Sequence, residues 1–257
     1  MLLEELDEER DAIINPTTFY QKVEGFPKTA VSFFSKSIMK EIIETYNPEI
    51  IAELHNATMT FYVYKLVIDG VSLALYQSPV GAPACVGLFE EVAAHGVENI
   101  LLVGCCGCLE NSIEDYSIII PTSAIRDEGT SYHYIKASDE IELNKNIVSI
   151  IEKIMQRNKI SYRLGKTWTT DAMYRETREK TERRKSQGAI TVEMECSAMA
   201  AVSKYRNVNF GQFFYAADNL DAEIYDPRSL TKSEVVPEKR KVIPLAFECG
   251  IEIDNEM

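Results

Sequence analysis

The chain has 257 residues, 46% of them hydrophobic, and a formal net charge of −13. That length can bury a substantial core in one large α/β domain, and no apolar run approaches the roughly 20 residues that span a bilayer. The acidic balance excludes a nucleic-acid backbone as partner, because such binding needs a basic patch, and it leaves any anionic substrate to be drawn by local groups.

The acidic start, Met1-Leu2-Leu3-Glu4-Glu5, lacks the basic beginning and apolar stretch of a secretory leader. Ala12-Ile13-Ile14 reads as a short strand stopped by Asn15-Pro16. Residues 29–34 and 57–68 read as strands, and Asp69-Gly70 is a two-residue hairpin signal leading into a strand at 71–77. Residues 83–95 carry an amphipathic helical pattern that closes on Gly96, a residue suited to a helix C-terminus. Residues 99–103 form a continuous apolar run of the buried-strand kind. Further on, 143–157 reads as a helix, 161–170 and 207–217 as strands, and 239–248 as a terminal helix with Pro244 awkward for its middle. Strands alternating with helical patterns imply crossover connections. The predicted fold is therefore α/β: one domain over 1–257, a three-layer α/β/α arrangement around a mixed, largely parallel twisted sheet.

Three segments carry candidate chemistry. In Val192-Glu193-Met194-Glu195-Cys196-Ser197 two carboxylates bracket a methionine where a β-branched run meets a run of small residues. Buried carboxylates are costly without a partner. If both stay on the strand, its period of two puts them on one face, at the carboxyl end where open α/β sheets bind ligands. A solvated strand-to-helix turn fits the composition equally well. In Ile100-Leu101-Leu102-Val103-Gly104-Cys105-Cys106-Gly107-Cys108 a buried strand runs into a glycine-flanked turn whose backbone N–H groups could approach an anion or a sugar; a plain tight turn is the simpler account. In Tyr215-Ala216-Ala217-Asp218-Asn219 an acid ends an apolar run, as a site residue or as an Asp-Asn turn cap. The cysteines (Cys85, Cys105, Cys106, Cys108, Cys196 and Cys249) show neither a disulfide framework nor zinc-site spacing. The expectation is no metal, and free thiols in a reducing cytoplasm.

Val192-Glu193-Met194-Glu195 resembles the ribose-binding signature of the nucleoside phosphorylase superfamily, which holds hexameric-type purine nucleoside phosphorylases, uridine phosphorylases and methylthioadenosine nucleosidase relatives. In that family the second glutamate accepts hydrogen bonds from ribose hydroxyls and the methionine packs on the sugar. The resemblance implies those roles for Glu195 and Met194, with Glu193 supporting the pocket. The Gly-x-x-Gly segment is similar too, and implies that Cys105, Cys106 and Gly107 contact substrate. Purine-acting members place an aspartate in a Ser-Asp pair to hydrogen-bond or protonate the purine five-membered ring. Here Ala217 replaces the serine, and Asp218 becomes the implied catalytic residue, tilting preference toward purines.

The chain also departs from the pattern. Leu102 stands where family phosphorylases have a phosphate-binding arginine, and Cys105 stands at the hydroxyl position. Ile13-Ile14-Asn15-Pro16-Thr17-Thr18 takes the place of an early Gly-Asp-Pro loop with its arginine. An apolar side chain cannot offer the bidentate donors that suit phosphate. The hydrolytic branch also lacks the first arginine, yet no counterpart of its N-terminal water-activating glutamate is found. Arg126-Asp127-Glu128-Gly129-Thr130-Ser131-Tyr132-His133-Tyr134 resembles a loop of uridine phosphorylases and archaeal relatives; His133 fits a general base or a hydrogen-bonded structural histidine. Thr169-Thr170-Asp171-Ala172-Met173-Tyr174 matches the family's passage from strand to base loop, where Met173 or Tyr174 stacks on a base or lies in the core. The uracil-reading glutamine and arginine have no clear match in 175–180.

The resemblance spans roughly 79–220 and implies a pentosyltransferase that cleaves a nucleoside to free base and ribose 1-phosphate. Inorganic phosphate would be the co-substrate, with no other cofactor. Its setting would be purine salvage, in a cytoplasmic homo-oligomer (dimer or trimer of dimers). A phosphate-independent hydrolase and a catalytically silent nucleoside-binding protein are the alternatives.

Overall fold

The computed structural model describes residues 2–231 and 236–257; Met1 of the acidic start lies outside the described residues. A short helix, α1 (Pro16–Phe19), precedes β1 (Thr29–Phe33), which is buried throughout. Helix α2 (Lys36–Tyr46) starts at Ser35, whose hydroxyl accepts the N–H of Ile38, and stops at Asn47 in the left-handed region. Strands β2 (Glu49–His55), β3 (Thr60–Ile68) and β4 (Val71–Gln77) form an antiparallel meander. Between β3 and β4, Asp69 and Gly70 take φ of 51° and 83°, the two positive values that an Asp-Gly hairpin turn requires. Helix α3 (Ala82–Ala94) closes at Gly96, φ 117°, where the sequence placed its end.

Next come β5 (Asn99–Cys108), β6 (Ile118–Asp127), the short β7 (Glu140–Glu142), α4 (Lys145–Arg157) and β8 (Tyr162–Thr170). They are followed by α5 (Arg178–Ser186), β9 (Ala189–Glu193), α6 (Cys196–Arg206), β10 (Asn209–Asn219), α7 (Pro237–Arg240) and α8 (Val242–Glu256). Pro244 is the third residue of α8. N–H groups there have no intrahelical partner to lose, so the helix starts through the proline and runs on.

The strands form one mixed sheet in the order β10-β6-β8-β9-β5-β1-β4-β3-β2, with β7 beside β6 and an additional β10–β5 pairing. That extra pairing closes β5, β10, β6, β8 and β9 into a barrel-like ring, whereas β1, β4, β3 and β2 continue as an open wing. The sheet is mixed, and its two longest pairings, β5–β10 and β6–β8, are parallel. Parallel pairings (β1–β4, β1–β5, β5–β10, β6–β8, β8–β9) are matched in number by antiparallel ones (β2–β3, β3–β4, β5–β9, β6–β7, β6–β10) among the described residues. Ring closure forces β9 against β5 and β6 against β10 in opposite directions, and no local pattern in the sequence encodes that.

Helices α4 and α8 pack so closely that only glycine fits beneath them. A Cβ on Gly211 of β10 would lie 2.2 Å from Ile147 of α4, and one on Gly250 of α8 would lie 2.7 Å from Val31 of β1. A second, small apolar cluster (Leu109, Ile125, Trp168, Ala189, Val192, with Leu220 against it) lies where the ring strands run out.

The segment read as a strand at Ala12-Ile13-Ile14 is not one: Ile13 and Ile14 are exposed and α1 follows. Nor does it reach the carboxyl end of β1. Asn15, Pro16 and Thr17 line a surface cleft of about 330 Å³ with Gly96 and Glu98, just before β5 begins. A similar cleft sits by Asn207 and Asn209, at the start of β10. The chain at the carboxyl end of β1 is instead Phe34-Ser35-Lys36-Ser37.

Candidate active site

The two glutamates of the Glu-Met-Glu segment do not share a strand. Strand β9 ends at Glu193, Met194 lies in a half-buried bend, and Glu195 is the residue that caps α6. Both carboxyls are buried, and both are spoken for. One oxygen of Glu193 accepts the Thr169 hydroxyl at 2.6 Å, across the β8–β9 register. The other accepts the backbone N–H groups of Glu195 (2.8 Å) and Cys196 (2.7 Å), satisfying the amino end of α6. Glu195 accepts the N–H of Gly81 at 2.6 Å. Burial pushes both carboxyls above the usual range; the charge of Glu193 adds to the effect on Glu195, and the donors on Glu193 oppose it.

A buried polar chain supports this end of α6. Ser197 N–H donates to Thr169 Oγ1, and the Ser197 hydroxyl donates to Glu128, which also accepts the N–H of Ser131. Arg126 donates to the Ser131 hydroxyl. The Arg126–Tyr134 segment thus braces the helix that carries Glu195. His133 is exposed, and its side chain makes no hydrogen bond among the described residues, so neither of its expected roles is supported.

The glycine-flanked turn expected after Val103 is strand. β5 continues through Gly104, Cys105, Cys106 and Gly107 to Cys108, pairing with β10 on one side and with β9 at its end. The glycines serve close approach rather than turning. A Cβ on Gly104 would lie 2.8 Å from the Phe34 ring; on Gly107 it would meet Leu220 at 2.5 Å, Val192 at 3.0 Å and Asp218 Oδ1 at 3.2 Å. Asp218 is opposite Gly107, just past a bulge in β10. An antiparallel bridge between Asn219 and Asp226 folds the following loop back on itself and brings the Tyr225 hydroxyl to Asp218 Oδ2 at 3.0 Å. Burial raises the Asp218 carboxyl, while Tyr225 and Arg228 pull it back.

Cys105 is the meeting point. Its half-buried thiol is pushed up to about 11, first by burial and then by the charge of Asp218; Lys239 opposes, and Glu195 adds a smaller push. Asp218 of β10 and Val192 of β9 both pair with Gly107, so carboxyls from the β9–α6 junction and from β10 flank the same stretch of β5. Met173 and Tyr174 are exposed in a 3-10 turn beyond β8, which removes the core as their place. Arg178 donates to the carbonyls of Leu220 (2.9 Å) and Ala222 (2.9 Å), fastening this loop to the one after Asp218. Glu176, between them, is pushed up to about 7 by burial and by the charge of Asp218, with Lys180 opposing.

A family model described as "Phosphorylase superfamily" matches residues 28–243. The chain belongs to the phosphorylase superfamily. Enzymes named nucleoside phosphorylases are among the proteins it is similar to. It is similar to a guanosine phosphorylase of Halorubrum lacusprofundi, 25% identical over 181 residues (69% of this chain, 74% of that one). It is also 25% identical over 169 residues (64% and 70%) to a DeoD-type purine nucleoside phosphorylase of Shewanella loihica. In fold it is similar to the crystal structure of a uridine phosphorylase from Vibrio fischeri, with a TM-score of 0.74 at 19% identity, covering 90% of this chain and 95% of that one.

This superfamily member brings together Glu193, Met194, Glu195, Cys105, Cys106, Gly107 and Asp218, all named from sequence, and leaves Met173 at the exposed rim. Sequence reasoning missed Gly81, Tyr225 and Lys239, and it gave Thr169 and Glu176, in the passage toward the base loop at 169–177, no role of their own. Gly81 carried a signal, since glycine followed by Pro83 marks a helix start. Tyr225 carried none, because only the Asn219–Asp226 bridge brings it back to the site.

Proposed function

We propose that the chain cleaves the N-glycosidic bond of a nucleoside by phosphorolysis, giving free base and ribose 1-phosphate, with a purine as the preferred base. The observation that carries this proposal is the placement of buried Glu195 and Asp218 on either side of β5: Asp218 lies opposite Gly107 on β10, and β9, which leads into Glu195, pairs with Gly107 through Val192. Bond cleavage develops positive charge on the sugar and negative charge on the leaving base. Glu195 spends one oxygen on Gly81 and keeps acceptor capacity for ribose hydroxyls, and in its deprotonated form its charge favours an oxocarbenium-like state. Met194 packs against the sugar, Cys105 to Gly107 form its floor, and Met173 or Tyr174 covers the base.

Asp218 supplies or shares the proton that lets the base leave. Its raised affinity for a proton suits that task, and Tyr225 donates to the carboxylate left behind. An oxygen of phosphate forms the new bond to the anomeric carbon as the C–N bond breaks, and the electron pair leaves with the base. Glu193 acts through the amino end of α6 and is a positioning residue.

One observation favours water as acceptor instead. Leu102, at the position where family phosphorylases carry an arginine, is fully buried in the core and offers no donor. The deciding experiment incubates the protein with inosine, guanosine, adenosine, methylthioadenosine and uridine, each with and without phosphate. Phosphate-dependent release of base with ribose 1-phosphate, faster for purines, is expected. Free ribose formed without phosphate would make the chain a nucleoside hydrolase, and no release from any substrate would overturn both readings.

We further propose a cytoplasmic place in purine salvage, one 1–257 domain of three-layer α/β/α form, and a homo-oligomer (dimer or trimer of dimers), with phosphate as co-substrate and no other cofactor. Six unpaired cysteines support the reducing compartment. No helix among the described residues is long and apolar enough to cross a membrane.

A further inference from the structure

We propose that Lys239 is the cation that holds the phosphate co-substrate beside Cys105, in place of an arginine on β5. The proposal rests on the phosphorolysis reading above. Lys239 lies on α7, outside every segment to which the sequence assigned chemistry, yet its Nζ is 5.7 Å from the centre of the Tyr215 ring. Tyr215 is the cross-strand partner of Cys105, so the ammonium stands over the strand that Asp218 and Glu195 flank.

Most other cations around this end of the sheet are committed, and Lys36, at the carboxyl end of β1, is exposed to solvent. Arg126 is spent on Ser131, Ser138 and the carbonyl of Lys136. Arg178 holds the carbonyls of Leu220 and Ala222, Arg228 holds that of Ile113, and Lys180 pairs with Asp127 at 2.7 Å. Arg175 is exposed to solvent. Lys239 is half-buried and has neither a hydrogen bond nor an ion pair among the described residues.

Lys239 is a partly desolvated ammonium with no counter-charge among the described residues, an unfavourable state, and burial lowers its hold on its proton. A phosphate dianion supplies what is missing. The ammonium is a compact charge with three donors, suited to phosphoryl oxygens without the bidentate geometry of arginine. With a net charge of −13 the protein offers no long-range attraction for phosphate, so a local cation has to provide it.

The test varies phosphate at saturating inosine, and inosine at saturating phosphate, for wild type, Lys239→Met and Lys239→Arg. Removing a charge-assisted contact is expected to raise the KM for phosphate by about 10- to 100-fold in Lys239→Met. The KM for inosine stays within about threefold, and Lys239→Arg recovers most of the loss. Lys239→Gln gives the same readout should the methionine variant fold poorly. Phosphate-dependent turnover with an unchanged phosphate KM in Lys239→Met overturns the assignment alone, as does a parallel rise in both KM values. Base release by the wild type that ignores phosphate overturns the phosphorolysis reading, and this assignment with it.

Discussion

Glu195 accepts the N–H of Gly81 at 2.6 Å, and that bond joins the amino ends of α6 and α3. Gly81 itself takes φ 99°, a region that other residues rarely adopt, so the donor is presented by a backbone that only glycine holds without strain. The carboxylate proposed to grip the sugar is thus fixed before any substrate arrives. Glu195→Gln keeps an oxygen for Gly81 but loses the charge. It should lower kcat/KM for a nucleoside by about 100-fold while leaving the fold intact. Wild-type kinetics in this variant would remove Glu195 from the sugar site.

Glu193 predicts a different outcome. Its three donors are Thr169 and two N–H groups of α6, so Glu193→Ala leaves all of them without a buried acceptor. A loss of about 2–3 kcal/mol in unfolding free energy follows, read from urea midpoints. Unchanged midpoints would show that the capping bonds contribute little.

The close approach at Gly107 gives a steric test. Gly107→Ala drives a methyl group into Leu220 and toward Asp218, and turnover should drop at least about tenfold. Gly87 of α3 has nothing within 4 Å of its would-be Cβ, so Gly87→Ala is the matched control. It should leave activity alone and stabilise the protein by up to about 1 kcal/mol. Equal effects of the two substitutions would mean that the contact at Gly107 is unimportant.

The raised carboxyls also predict a direction for stability against pH. In the folded protein Glu193 and Glu195 keep protons that the unfolded chain releases above its ordinary 4.5. The native state therefore binds more protons in that window, and these groups lose stabilising power as pH rises from about 4.5 through neutrality. Glu195→Gln cannot titrate. The stability of the wild type relative to this variant should fall steadily over that range, and a constant or rising difference would contradict the assignment.

The Glu-Met-Glu segment was legible because two acids between β-branched and small residues are unusual, and the hairpin at Asp69-Gly70 because its turn admits few other residues. What stayed hidden depends on contacts distant in sequence. Strand β5 looked as though it ended at Val103, since the two glycines read as a turn; neighbours on both sides keep it extended to Cys108. The register argument for Glu193 and Glu195 failed because β9 ends at Glu193 and Glu195 already caps α6, although the helix cap still keeps their carboxyls close. Ile13 to Thr18 were matched to an early family loop by position along the chain alone, and Asn15 to Thr17 lie by the start of β5, at the other end of the sheet. Tyr225 and Glu176 are single polar residues outside any periodic run, Lys239 stands at the very start of one, and only the folded chain reveals what they face.

The most direct test of the account is the rate of hypoxanthine release from inosine by wild type and Asp218→Asn under identical conditions. Asparagine keeps the size of the side chain, and its fold can be checked by circular dichroism, but it cannot deliver the proton. The account predicts a fall in kcat of about 100- to 10,000-fold, with a KM close to that of the wild type. An unchanged rate in a folded variant would contradict it, because the base would then leave without the acid at the end of β10.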